Sequence, residues 1–430
     1  MTAVLSTDTH SAMRSDTHSD TRSPALPAIN RDWTITPITP GTDLDELRLR
    51  VRDFVDEHVR PVVAANDAAP AESFDWVLVS KAHELGLFRL VVPVEHGGLG
   101  LGVVGVAIAM EEIAAACAGT ALIVGATLLG QAPVLLSGET RLQARFLPLF
   151  AGDEPVLACN AITEDLAGCD LLIPENAIHA ADVVTAVRDG DHYILNGTKR
   201  FITNAMVAEF GCVYANLAGS EGATGLTGFI VPLDSPGVSR GPVADKLGYR
   251  ACLGSTLRFE DVHVPAENVV AAEGTGMLIN IQQMNMARAT VAGLSTGVAR
   301  AALELAKDWC GRRVQGGKPL WQHQFSARKL AEMAAKVEAS RLLYLQAAHA
   351  ADEEMPAPTT APALAKLFAD QVAIEVATEA MGLMGARGYL RENAMEKVLR
   401  DSLGARIYEG TPEVLALALV EDMYGDDDDF

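Results

Sequence analysis

Three textures follow one another along the chain. Between Asp43 and about Phe150, apolar residues recur three and four positions apart, as in LDELRLRVRDFVDEHVRPVV (44–63), which predicts helices. A glycine-rich loop, PVEHGGLGLG (93–102), interrupts them. From about 156 to 270 the period shortens towards two. Strand-like runs appear as CVYANL (212–217), TGFIVPL (227–233) and STLRFEDVHVP (255–265), separated by Gly and Pro. In HYILNGTKRFI (192–202), Asn196-Gly197 stands between two such runs and predicts a hairpin turn. From Gly274 onward the pattern is helical again, in four amphipathic blocks at about 276–311, 322–352, 360–384 and 412–423.

The fold class is therefore α+β. An all-helical domain (41–155) precedes a β-barrel-like or β-sandwich domain (156–270) and a C-terminal four-helix bundle (271–424). Residues 1–40 are Ser-, Thr- and Asp-rich and predict a disordered tail, so His10 and His18 in its DTH repeats are not read as metal ligands. The acidic end at 425–430 reads as a second, solvated tail.

Composition narrows the function. Of 430 residues, 49% are hydrophobic, enough for a large core, while a net charge of −22 excludes nucleic-acid binding, which needs clustered Lys and Arg. Residues 113–136 carry no charge and are long enough to span a bilayer. Gly, Thr, Gln131 and Pro133 interrupt them and no Lys or Arg anchors either end, so a pair of buried core helices is expected, with no membrane partner. The six cysteines form no CxxC pair and no zinc spacing, which predicts reduced thiols in a cytoplasmic protein and no metal site. Glycines at 382, 385 and 388 follow a helix rather than a strand and fail as a dinucleotide fingerprint.

One short stretch raises a chemical question. In ARIYEGTPEV (405–414), Thr411, Pro412 and Glu413 are an N-cap, a first helical residue and a first-turn acid. Capping thus has no need of Glu409, and Gly410 beside it permits close backbone approach to a ligand. A solvated carboxylate and a chemical base both fit that pattern.

Seven stretches together resemble the acyl-CoA dehydrogenase family of FAD-dependent thioester dehydrogenases. They are LGLFRLVVPVEHGGLG, AITEDLAGCD, NGTKRFITNA, KLGYR…FEDVHVPAENVV, RRVQGGKPLWQHQ, GARGYLREN and RDSLGARIYEGTPEV, and the similarity runs from about Leu44 to Leu419. The resemblance implies that fold and one FAD per subunit between the β domain and the bundle. It also implies α,β-dehydrogenation of an acyl-CoA or acyl-carrier-protein thioester, with a base removing the Cα proton and hydride passing from Cβ to flavin N5.

By this resemblance Asn160, Ile162 and Thr163 meet the isoalloxazine, Gly168 and Cys169 approach the pyrophosphate, and Phe201 and Thr203 cover the ring's other edge. Thr411 and Glu413 touch FAD as well, and a helix N-terminus suits an anionic cofactor. Arg313, Gln324 and Gly385 reach a neighbouring subunit's FAD, implying a homodimer or homotetramer. Two base positions occur in the family. Ala287 leaves the one before Arg288 empty, and Glu409 fills the other. Arg288 then orders the active-site charge, and Asn285 and Gly410 lie along the substrate. The sequence departs from the family at Cys169 (Ser), Phe201 (Trp), Gly316 (Phe), Gly382 (Gln) and Ala386 (Gly), three of which fall at the adenine end and imply a looser grip on FAD. The resemblance also implies an electron acceptor such as an electron-transfer flavoprotein or oxygen. A flavin monooxygenase or oxidase on the same fold, and a non-catalytic thioester-binding member, are the alternatives.

Overall fold

The computed structural model describes residues 42–68, 74–173, 176, 179, 184–220 and 224–424. The expected tails over 1–40 and 425–430, with His10 and His18, lie outside the described residues. The N-terminal layer comprises α1 (Asp43–Phe54), α2 (Val63–Ala68), α3 (Trp76–Leu85), α4 (Gly102–Ala114), α5 (Ala118–Leu136) and α6 (Thr140–Phe146). Thr42 caps α1 by accepting from the Asp45 N–H at 3.2 Å. The uncharged stretch thus divides between α4 and α5. α5 is long and apolar enough to cross a membrane, but 72% of it is buried within the fold. It is a core helix.

The middle of the chain forms one curled seven-stranded sheet: β1 (Ala158–Ala161), β2 (Thr185–Asp189), β3 (His192–Thr203), β4 (Phe210–Leu217), β5 (Leu226–Pro232), β6 (Val238–Arg240) and β7 (Gly254–Pro265). β4 pairs with β5 on one side and, in parallel, with β1 and then β2 on the other. β3, β7 and β6 continue from β2.

The sheet corrects one expectation. Asn196-Gly197 is not a hairpin turn. β3 runs straight through it, and the β2–β3 connection is at Gly190-Asp191. At Asn196 the β3–β7 register slips between Leu195 and Gly197, a bulge. The Asn196 side chain accounts for it, donating to Asp261 Oδ1 at 3.0 Å and accepting from the Asp261 N–H at 2.9 Å. Gly197 sits at φ +135 against Val184, where a side chain would collide. A dipeptide suited to a turn here shapes a bend inside a strand.

The bundle contains α7 (Gly276–Arg312), α8 (Gln324–Glu353), α9 (Thr360–Met384), α10 (Ala394–Ser402) and α11 (Pro412–Tyr424), with a two-stranded ribbon at Val314–Gln315 and Lys318–Pro319. α7 is the spine, packed against α4, α5, α8, α9 and α10. One apolar core runs from the N-terminal helices into the bundle, and a second, around Tyr193, Phe229 and Phe259, lies within the sheet. The turn between α10 and α11 faces the seam where these layers meet.

Candidate active site

That turn is built from conflicting local demands. Glu409 adopts φ +55 and Gly410 φ +95, two successive left-handed residues. Glycine takes this conformation freely, whereas a glutamate there is uncommon and must be held by its surroundings. Two buried cations hold it. Arg288 on α7 donates from Nε to the Glu409 carbonyl at 3.3 Å and from Nη1 to Asn285 Oδ1 at 3.1 Å. Lys366 on α9 donates to the carbonyls of Ala405 (2.8 Å) and Gly410 (3.1 Å).

Glu409 lies where two cavities meet. The smaller, about 40 Å³, is mostly apolar and lies between α4, α5 and α7, with Val106, Met110, Leu128 and Val291 in its wall. The larger, about 290 Å³, opens between the end of β1, the end of β3, α7 and the Glu409 turn. Leu122 and Leu129 of α5 line both. Met110 and Gly125 both line the small cavity, and the Met110 terminal methyl fills the space a Cβ at Gly125 would need.

The larger cavity is lined by Asn160, Ile162, Thr163, Gly168, Cys169, Phe201, Thr203, Glu409 and Gly410 among the residues expected from sequence. Lys199, fully buried, fixes the segment after β1: its Nζ donates to the Ile162 carbonyl at 2.9 Å and pairs with Glu164. Glu164 in turn accepts from the Val184 N–H at 2.8 Å, and the Arg200 N–H donates to the Thr163 carbonyl at 2.8 Å. The loop is therefore rigid where it borders the cavity.

Four side chains on the cavity wall carry polar atoms with no hydrogen-bond partner among the described residues: Asn160 Oδ1, both amide atoms of Asn280, the Tyr408 hydroxyl and Glu409 Oε2. Buried polar groups are almost always hydrogen-bonded, so orphans converging on one cavity mark a ligand with polar edges. Gly168 has open space where a Cβ would stand. Such a wall, largely apolar with a few unpartnered polar groups, fits a flavin ring beside a thioester.

Burial pushes the Glu409 carboxyl up, against the opposing pull of Lys366 and Arg288, to about 7. Asp370 adds to the upward push. The group is thus poised to gain or lose a proton near neutral pH, as a general base requires.

The other expected residues fall elsewhere. Arg288 touches the Glu409 backbone, whereas Asn285 lines neither cavity; its amide donates to the Ala357 carbonyl and to Thr359 Oγ1, both at 3.1 Å. Thr411 and Glu413 open α11 just beyond the cavity wall. Arg313, Gln324 and Gly385 are exposed and line neither cavity. Sequence reasoning missed Asn280, Met284 and Tyr408 as lining residues, and Lys366 and Lys199 as the buried cations behind the wall. Inside an α-helix, a buried Asn or Lys carries no pattern that separates Asn280 or Lys366 from a solvated residue; Tyr408, next to Glu409, and Lys199, within NGTKRFITNA on β3, lay within reach of the quoted stretches.

Sequence models of the acyl-CoA dehydrogenase N-terminal, middle and C-terminal domains match residues 42–154, 159–262 and 274–424. The chain is 38% identical over 331 residues to cyclohex-1-ene-1-carbonyl-CoA dehydrogenase of Geobacter metallireducens, covering 77% of this chain and 85% of that one. Butyryl-CoA dehydrogenase from Megasphaera elsdenii superposes with a TM-score of 0.83 at 33% identity, over 89% of this chain and 99% of that one. A glutaryl-CoA dehydrogenase from Mycobacterium smegmatis, solved in complex with FADH2, gives 0.79 at 27% identity, over 90% and 95%.

Proposed function

The chain belongs to the acyl-CoA dehydrogenase family, and we propose that within it Glu409 is the base that removes the Cα proton of the acyl thioester. The protein is an FAD-dependent oxidoreductase acting on CH–CH bonds of acyl thioesters. FAD, when bound, supplies the hydride acceptor. The rest concerns what this chain's own residues do.

Asn160, Ile162, Thr163, Gly168, Cys169, Phe201 and Thr203 hold the flavin, their support being the rigid loop behind them and the unpartnered polar atoms before them. Glu409 works as a base because a carboxyl held near 7 is available as carboxylate at neutral pH yet basic enough to accept a carbon-bound proton. The orphaned Oε2 at the junction of the two cavities is the observation that carries this reading. The small apolar cavity takes the acyl chain and the larger one the thioester and flavin. The size of the small cavity, with Met110 in its wall, suits a short or compact acyl group such as those named for the butyryl-CoA and cyclohexenecarbonyl-CoA relatives. Arg313, Gln324 and Gly385, exposed in one chain, serve the FAD of a second copy in a dimer or tetramer. An electron-transfer flavoprotein or oxygen reoxidises the flavin. All six cysteines are unpaired, consistent with a reducing, cytoplasmic setting.

The test is anaerobic bleaching of the holoenzyme by a panel of acyl-CoA thioesters. Butyryl-CoA or cyclohexenecarbonyl-CoA should bleach the flavin at least about tenfold faster than palmitoyl-CoA. Met110→Ala, which removes volume from the cavity wall, should move the preference towards longer chains by about 10-fold or more. Palmitoyl-CoA as the fastest substrate, or no bleaching by any thioester, would overturn the reading.

A further inference from the structure

Lys366 is a fully buried ammonium that the chemistry above does not use. It lies on α9, one turn before Asp370, and looks in sequence like an ordinary surface pair four residues apart. In the fold its three donors are all assigned: Asp370 Oδ2 at 2.8 Å, the Ala405 carbonyl at 2.8 Å and the Gly410 carbonyl at 3.1 Å. Its Nζ also stands 5.8 Å from the centre of the Tyr408 ring. Asp370 is tied to the spine helix, accepting from Ser295 Oγ at 2.6 Å. A continuous chain of contacts thus runs from α7 through Asp370 and Lys366 to both ends of the turn that carries Glu409.

Desolvating an ammonium and a carboxylate costs several kcal/mol each, and apolar residues of similar volume usually stabilise a fold as well or better. Stability is therefore a weak reason for this pair. Its placement gives a better one. The carbonyls at 405, 409 and 410 are all held by buried cations, Lys366 from α9 and Arg288 from α7, and between them the backbone takes its two left-handed steps.

We propose that Lys366, with Asp370 as its counter-ion, is a positioning residue that fixes the Glu409 turn and sets the charge balance felt by its carboxylate. This rests on Glu409 being the base. The charged and titratable groups around Glu409 are Arg288 from α7, Lys366 and Asp370 from α9, Tyr408 in the turn with Tyr249 against it, and Cys169 across the cavity. Lys366 and Arg288 favour the carboxylate, and Asp370 favours the acid. Removing the Lys366 charge must therefore make Glu409 hold its proton to higher pH, and must free the turn that aims it.

The experiment compares the parent holoenzyme with Lys366→Met, Lys366→Arg and the double variant Lys366→Met/Asp370→Leu, which strands no carboxylate. Two quantities are read: the pH dependence of anaerobic flavin reduction by butyryl-CoA, and a carboxyl ¹³C NMR titration of Glu409, assigned by its loss in Glu409→Gln. In Lys366→Met both midpoints should rise together by about one pH unit, and the limiting rate should fall about tenfold as the turn loosens. Lys366→Arg should restore the midpoints and only part of the rate. Parent-like midpoints and rate in Lys366→Met would overturn the proposal. So would failure of both the single and the double variant to fold, since the pair would then be structural. If Glu409→Gln keeps the rate limb, the base assignment falls, while the NMR midpoint still reports whether Lys366 governs Glu409.

Discussion

Two buried clusters in this protein use the same ingredients and reach opposite states. Both set a glutamate beside an arginine of α7. In the first, Glu111 and Glu112 of α4 meet Arg300 of α7 and Arg341 of α8. Arg341 donates to Glu111 at 2.6 and 3.0 Å, Tyr344 donates to it at 2.5 Å, and Arg300 grips Glu112 at 2.7 and 3.0 Å. Burial pushes Glu111 up, but Arg341 and Arg300 overrule it and hold the carboxyl at about 2. In the second, Arg288 and Lys366 spend their hydrogen bonds on backbone carbonyls, Asn285 and Asp370 rather than on the Glu409 carboxyl, whose Oε2 has no partner among the described residues, and burial wins, leaving that carboxyl near 7. A cation bonded to the carboxylate silences it. A cation bonded to the backbone behind it aims it and leaves its proton chemistry free.

Breaking the first cluster should be the more damaging to the fold. Arg341→Met leaves Glu111 and Glu338 buried without their fork, and should cost about 3–5 kcal/mol in urea unfolding while the pH midpoint of flavin reduction stays put. A loss below about 1 kcal/mol would erase the distinction between the clusters. The second cluster should show the reverse sign. Glu409 has a native value near 7 above its ordinary 4.5, so the native state holds a proton that the unfolded chain releases. That contribution is fully present below about 4.5 and is lost as pH rises through 7. Glu409→Gln carries no such proton, so its stability relative to the parent should grow between about pH 5 and 8, by up to about 3 kcal/mol. A stability difference flat across that range would show that Glu409 is not strained in its charged form.

Much of this was legible before any coordinates. The heptad-like spacing along α7 and α9 marks helices over 276–311 and 360–384, and the structure has Gly276–Arg312 and Thr360–Met384. α10 was not foreseen, being a nine-residue helix framed by turns, too short for periodicity to declare. Asn196-Gly197 misled because its turn propensity is local, whereas Asp261 on a strand distant in sequence fixed its use as a bulge. At the site, Glu409 stood out because a cap at Thr411 made it redundant. Lys366 did not, because a Lys and an Asp four residues apart fit a solvated helix face as well as a buried one, and only the packing of α9 against the turn tells them apart.

The central claim is that the Glu409 carboxylate removes the proton. The most direct measurement is the single-turnover rate of anaerobic flavin reduction in FAD-loaded Glu409→Gln, with butyryl-CoA or whichever thioester bleaches the parent fastest. The variant should fold, stay yellow and bind the thioester, while its reduction rate falls at least about 10²-fold and loses its rise through neutral pH. Reduction at the parent rate would mean that another group takes the proton, and would contradict the account.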